Sequence, residues 1–169
     1  MPERPAPRLG AVPSPSRPPS GPASRHQSYL SFDFGTRRVG VATGNSLMRL
    51  AQPLKTLSAE GDARFAAIAQ LISQWQPSAL VVGVPFHPDG AAHDNTRRAQ
   101  RFARQLHGRF RLPVHEVDER YTTTEALADG AADADAAAAA LILEQFLRSA
   151  AAADTSSFAA VQDPTDAAA

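Results

Sequence analysis

The sequence predicts an α/β fold, a single domain built on a mixed five-stranded sheet flanked by helices. Three observations lead there. Strand-like and helix-like segments alternate from about Ser28 to Ser149, the first two strand-like segments flank a short turn, and a later one is continuously apolar. A hairpin unit followed by strand, helix, strand, helix gives a sheet with both antiparallel and parallel pairs.

Tyr29 to Phe34 reads as the first strand and Val39 to Thr43 as its hairpin partner, with Gly35 easing the turn between them. Arg49 to Thr56 supplies a third strand, where Pro53 favours an edge position or a bulge because it cannot donate to the ladder. From Asp62 to Trp75, the residues Phe65, Ile68, Ile72 and Trp75 recur at three- and four-residue spacing, which predicts a helix with one apolar stripe. Pro77 stops it. Ala79 to Val84 is the uninterrupted apolar run of a central strand covered on both faces, and Pro85 ends it.

After the Pro88-Asp89-Gly90 turn, residues from about Asp94 to Gly108 form a second helix with Ala99, Phe102, Ala103 and Leu106 inward. Leu112 to Val117 is the fifth strand, interrupted by Asp118-Glu119-Arg120. A short helix follows, with Thr122 and Glu125 in capping-box spacing. The last helix runs from about Asp133 to Leu147.

Outside this domain the composition changes. Residues 1–27 hold eight prolines among Ser, Gly and Arg, with no apolar periodicity, and read as a disordered, mildly basic arm. Residues 150–169 are dominated by Ala, Asp, Ser and Thr and read as a disordered tail. The folded domain is therefore 28–149. No cysteine is present, so disulfides and thiolate metal sites are excluded and the chain suits a reducing cytosol. No stretch approaches the roughly 20 apolar residues needed to span a bilayer, which predicts a soluble, cytoplasmic protein.

Seventeen basic and seventeen acidic residues cancel, so overall charge advertises no polyanionic partner. The distribution along the chain is less even. No acidic residue lies between Asn95 and His115, while Arg97, Arg98, Arg101, Arg104, Arg109 and Arg111 all do. On the second helix, Arg97, Arg101 and Arg104 share an outward face suited to a phosphate backbone or simply to water. His87, His93, His107 and His115 are too scattered for a metal cage and read as ordinary surface or satisfied residues. No glycine-rich phosphate loop of the Walker or dinucleotide type and no His-Glu-x-x-His occurs, so no cofactor-binding residue is assigned.

Chemistry is carried by acids at the strand and helix ends. Asp33 ends the first strand, Asp118 and Glu119 follow the fifth, and Asp135 begins the last helix. Ligands of such sheets commonly bind beyond the strand ends. Carboxylates gathered there repel one another unless a cation is present, and hard oxygen donors select Mg²⁺ or Mn²⁺. Each acid also has a plainer use. Asp33 could serve the turn, Asp118 or Glu119 could pair with Arg120, and Asp135 or Asp133 could favour a helix N-terminus.

Four ordered motifs cover Tyr29 to Leu147: Phe32-Asp33-Phe34-Gly35-Thr36-Arg37-Arg38-Val39-Gly40-Val41-Ala42; Val81-Val82-Gly83-Val84-Pro85 with Asp89-Gly90; Asp118-Glu119-Arg120-Tyr121-Thr122-Thr123-Thr124-Glu125-Ala126; and Asp135 with Ile142-Leu143-Glu144. Together they closely resemble the YqgF family, also called the pre-16S rRNA nuclease or Holliday junction resolvase-like family. The resemblance implies an RNase H-like fold, divalent metal held by acidic residues, and cytoplasmic cleavage of phosphodiesters in maturing the 5′ end of 16S rRNA. It matches Asp33, the Asp118-Glu119 pair and Asp135 to the family's acidic positions, with Arg97, Arg101 and Arg104 left to hold the flanking RNA backbone. The segment between Ala126 and Asp135 is shorter than in many members and lacks their basic approach to the last acid.

Three rivals differ in what they require. An inactive RNA- or ribosome-binding assembly factor needs no metal. A junction-resolving DNA nuclease has the same acids and a structured DNA substrate. An ATP-binding protein of the actin and sugar-kinase type shares Asp-x-Gly-Thr but needs a second domain to close over its nucleotide.

Overall fold

The computed structural model describes residues 26–121 and 133–159. Five strands and three long helices are found there: β1 (Ser28–Phe34), β2 (Val39–Asn45), β3 (Ala51–Leu57), α1 (Gly61–Trp75), β4 (Ala79–Val84), α2 (Asp94–Phe110), β5 (Val114–Asp118) and α3 (Ala134–Ala159). The sheet order is β3-β2-β1-β4-β5. β1, β2 and β3 pair antiparallel, while β4 and β5 join β1 in parallel, giving the expected mixed sheet with β1 and β4 inside it.

Side-chain alternation divides β1 between two layers. Leu30 and Phe32 enter the larger core with Phe65, Ile68 and Leu71 of α1 and Ala99, Phe102 and Leu106 of α2. Tyr29, Ser31 and Asp33 face the other way, toward α3. Tyr29 packs with Ile142, Leu143 and Leu147, and the buried Ser31 hydroxyl donates to the Ala139 carbonyl at 2.8 Å. α1 and α2 thus cover one face and α3 the other.

The α3 face of β2 is built from small residues, Gly40, Ala42 and Gly44. Ala42 contacts Ala139 and Ala140, and an ideal Cβ on Gly44 would lie 3.0 Å from Leu143 Cδ2. At Gly40 the approach is closer still, since a Cβ would stand 1.9 Å from the Asp135 carbonyl oxygen. The absence of that one carbon lets the first turn of α3 rest on the sheet.

Several boundaries differ from the sequence reading. β3 begins at Ala51 rather than Arg49, and its register shifts at Val41/Ala42 opposite Lys55 and Pro53, so Pro53 sits both on an edge strand and at a bulge. β5 starts at Val114 and retains Asp118 as its last residue. Trp75 leaves the predicted apolar stripe. It is 37% exposed at the last position of α1, and Leu71 is buried where Trp75 was expected, because only the middle of the helix lies over the sheet. α3 continues past Leu147 to Ala159, beyond the predicted start of the tail, with the strong helix former alanine at positions 150–153. The expected short helix at Thr122 lies outside the described residues. A single 3₁₀ turn, Glu119–Tyr121, immediately precedes it. Among the described residues no helix is long and apolar enough to cross a membrane.

Glycine positions provide opposite tests of this packing. Gly40→Ala should cost about 3 kcal/mol, because the new methyl meets helix backbone that cannot rotate away. Gly108→Ala, inside α2 with open space around its Cβ direction, should instead gain about 0.5 to 1 kcal/mol. Urea midpoints of the two variants against the parent protein check both signs.

Candidate active site

Asp33 pairs with Gly40 on β2 and Gly83 on β4, so the central carboxylate has a residue without a side chain on each flank of the same sheet face. Both gaps are filled from outside the strands. Over Gly40 lies the backbone of Asp135, and over Gly83 lies the side chain of Glu119, whose Oε1 would be 2.5 Å from a Cβ there. Ile142 Cδ1 of α3 approaches the same point at 2.5 Å, which fixes the face as that of α3. Asp33, Glu119 and Asp135 therefore meet one transverse row of the sheet.

Strand alternation explains why Glu119 arrives there. On β5, Val117 packs into the α3 layer and His115 stacks on Phe146 of α3, so the next residue of that parity is Glu119. Asp118 has the opposite parity. Its carboxylate accepts the Arg120 backbone N–H at 2.9 Å, an Asx turn that ends the strand, and holds the Arg120 guanidinium with contacts of 3.0 Å and 2.7 Å. These hydrogen bonds from Arg120 hold the Asp118 carboxyl below its ordinary value of 3.8, against a smaller opposing effect of burial. Arg120 also stands over the Phe86 ring at 5.5 Å and closes on Gly90, whose φ of +90° suits glycine. Asp118 thus anchors the turn that presents Glu119 and ties it to the loop after β4.

The two acids at the start of α3 also separate by contact. Asp133 accepts from the Ala136 N–H at 3.2 Å and from the Thr56 hydroxyl, which makes it the helix cap. Asp135 lies against Gly40, with Oδ2 3.3 Å from Arg38 Nε.

Partial positive charge lies at the same end of the sheet. All three long helices begin at this end of the sheet, where helix N-termini favour anions. Arg64 of α1, only 6% exposed, donates to the carbonyls of Ala59 and Thr36 and so fastens that helix to the β1–β2 turn. Burial lowers its basicity, with Glu60 opposing. The Thr96 hydroxyl donates to the Pro85 carbonyl, pinning α2 to the end of β4.

Arg97, Arg101 and Arg104 are exposed on α2, which packs on the sheet face opposite Asp33. Arg97 pairs with Asp94 at 3.2 Å. The arginines nearest the acids are Arg38 and Arg120. Arg38 belongs to the first sequence motif without a role assigned to it there, because it reads as part of a turn; it lies five residues after Asp33 and one before β2.

Among the described residues no three His, Asp or Glu side chains form a ready cage for an ion. The donor chemistry nonetheless suits a hard divalent cation. Every acid brought to the row offers carboxylate oxygen, and the two missing Cβ atoms leave the space through which those residues approach.

A family model described as "RuvX: Holliday junction resolvase" matches residues 27–149. A protein of Albidiferax ferrireducens is 66% identical over 136 residues, covering 80% of this chain and 87% of its own, and one of Polaromonas sp. is 69% identical over 123 residues, covering 73% and 89%. Both are named "Putative pre-16S rRNA nuclease". Among solved structures, Thermus thermophilus RuvC in complex with a Holliday junction substrate superposes with a TM-score of 0.51 at 13% identity, over 75% of this chain and 96% of that one. At that identity the likeness speaks for the fold, the RNase H-like mixed sheet.

The Asp118–Arg120 pair should leave a pH signature. Because its folded pKa is depressed, its stabilisation is present above the ordinary carboxylate range and is lost as pH falls through the folded value. Arg120→Ala should therefore be less stable than the parent at pH 7, by up to about 1 kcal/mol for a partly exposed pair. The charge-pair part of that gap should narrow toward pH 2, as followed by urea unfolding in EDTA at both pH values.

Proposed function

The chain belongs to the RuvX family, and we propose that it is a divalent-metal-dependent nuclease that trims the 5′ end of pre-16S rRNA, with Asp33, Glu119 and Asp135 as its acidic centre. One observation carries the site assignment. Asp33 is flanked by Gly40 and Gly83, and these are the two positions over which Asp135 and Glu119 come down.

Mg²⁺ or Mn²⁺ held by these carboxylates would supply an activated water and neutralise charge on the phosphoryl group. The chain's own residues do the rest. Asp33 is held by ladders on both sides, which fixes its backbone in the middle of the sheet. Asp118 serves through Arg120, keeping the Glu119 turn closed, so its role is positioning. Arg38, drawn to Asp135 across 3.3 Å, offsets that carboxylate's charge and can contact a phosphate entering the row. The three helix N-termini favour the same anion.

Contacts to a phosphate backbone position a strand without reading its sequence. Arg97, at the start of α2, is the member of the predicted arginine face nearest the acid end. Arg101 and Arg104 lie progressively farther down the helix, so flanking strand would have to pass around the sheet edge to meet them. The family's junction-resolvase description supports a DNA substrate as a second reading, and a direct comparison of substrates separates the two.

Purified protein should be given an RNA carrying the 16S 5′ precursor segment and, separately, a four-way DNA junction, each in Mg²⁺, Mn²⁺ or EDTA. Cutting of the RNA should require the ion and fall to background in Asp33→Asn and Glu119→Gln. Asp118→Asn, which keeps an acceptor for the turn but loses the ion pair, should retain activity reduced by about 10- to 100-fold. Equal cutting by Asp33→Asn and parent would refute the acidic centre. Cleavage of the junction with the RNA untouched would establish the DNA reading.

A further inference from the structure

Outside the acid row, an open groove of about 990 Å³ runs along β5, the last strand of the sheet. Its lining includes Arg104 and His107 of α2, His115 and Glu116 of β5, and Phe146 of α3. His115 and Phe146 are stacked, with centroids 4.9 Å apart and planes at 30°. Tyr29 meets Phe146 edge-on at 5.2 Å and fixes the ring from behind. The exposed His115 ring is therefore a flat surface on a rigid support.

On the α2 side, His107 Nδ1 lies 2.9 Å from the Leu112 carbonyl, which requires that nitrogen to carry the proton and sets the ring's orientation. Arg104 is exposed and has no ion-pair partner among the described residues. Glu116 is the one acid of the lining. His115 and Glu119 share the α3-facing parity of β5 and stand four residues apart, about 13 Å of extended chain. The stacked pair and the acid row thus face the same side of the sheet.

We infer that this groove binds the single-stranded part of a nucleic acid, with one base stacked on His115 and an adjoining phosphate on Arg104, and leads the strand to the acid row. The inference rests on the nuclease reading and adds a binding site to it. A flat ring beside an arginine suits any base and any phosphate, so the site would hold a strand irrespective of sequence. An extended peptide could also add to the free edge of β5. Arg104 and the ring stack favour the polyanion.

The test uses the full chain in EDTA, where binding is read without cutting, and a labelled single-stranded RNA carrying one 2-aminopurine. Arg104→Ala and His115→Ala, both at exposed positions, should each weaken anisotropy-measured binding about tenfold. Arg104→Ala should also reduce the salt slope by about 1, and His115→Ala should abolish quenching of the 2-aminopurine. Binding of a blunt duplex of the same sequence should not change. Variants that bind the single strand as the parent does, with the same slope and quenching, would overturn the groove. The nuclease reading would survive that result if cutting still required Asp33. Equal weakening toward strand and duplex would also overturn it, as would β5 amide NMR signals that respond to an extended peptide and not to the RNA.

Discussion

Among the described glycines, Gly40 lies tightest against its neighbour, the first turn of α3. A strand and a helix normally keep a layer of side chains between them. Here the row Gly40, Ala42, Gly44 meets Ala136, Ala139, Ala140 and Leu143, and the layers approach until the Asp135 carbonyl occupies the place of a Cβ. The buried bond from Ser31 to the Ala139 carbonyl pins the helix along its axis, so the approach is fixed in register as well as depth. The position of Asp135 beside Asp33 follows from this packing. The alanine richness of α3 therefore has a local use in addition to its effect on helix propensity.

Such closeness gathers negative charge, and the fold answers with partial and full positive charge at the same end. Three helix N-termini, Arg38 on Asp135 and Arg120 on Asp118 all lie there. Arg120 is also mechanical, joining the end of β5 to Phe86 and Gly90 of the loop after β4, and Arg64 adds a second tie, joining α1 to the turn that follows Asp33. The site is thereby supported from each side by groups that also moderate its electrostatics. Carboxylates so supported can coexist in the folded chain and still favour an incoming cation.

Much of this was legible in the sequence, and the exceptions have physical causes. Continuous apolarity marked β4, and a short apolar run followed by a glycine turn marked β1 and β2, because burial imposes such patterns directly. The acids were found as a group because each ends a regular element. Their separate duties were not legible. Whether Asp118 or Glu119 faces Asp33 depends on where β5 stops, and a shift of one residue reverses the answer. Asp133 and Asp135 both fit a helix start, and only the contacts to Ala136 and Gly40 distinguish cap from row. The arginine face of α2 was correctly read as outward, but helical periodicity does not say which face of the sheet the helix covers. His115 looked like one of several scattered histidines, because its partner Phe146 is brought to it by tertiary packing alone.

The two-residue period of β1 ties the core to the chemistry. Leu30 and Phe32 hold one layer, Tyr29, Ser31 and Asp33 address the other, and Phe34 returns to the first, where it packs against Phe102 at 5.0 Å. A slip of one residue would turn Leu30 and Phe32 toward the small-residue face of α3 and drive the Asp33 carboxylate into the aromatic core. The hydrophobic pattern that selects the correct register therefore also keeps the carboxylate out of the aromatic core. The β2–β3 bulge at Val41/Ala42 reinforces this choice, since an irregular ladder has fewer equivalent registers than a uniform one. Errors in pairing and errors in the site are thus penalised by the same burial energy.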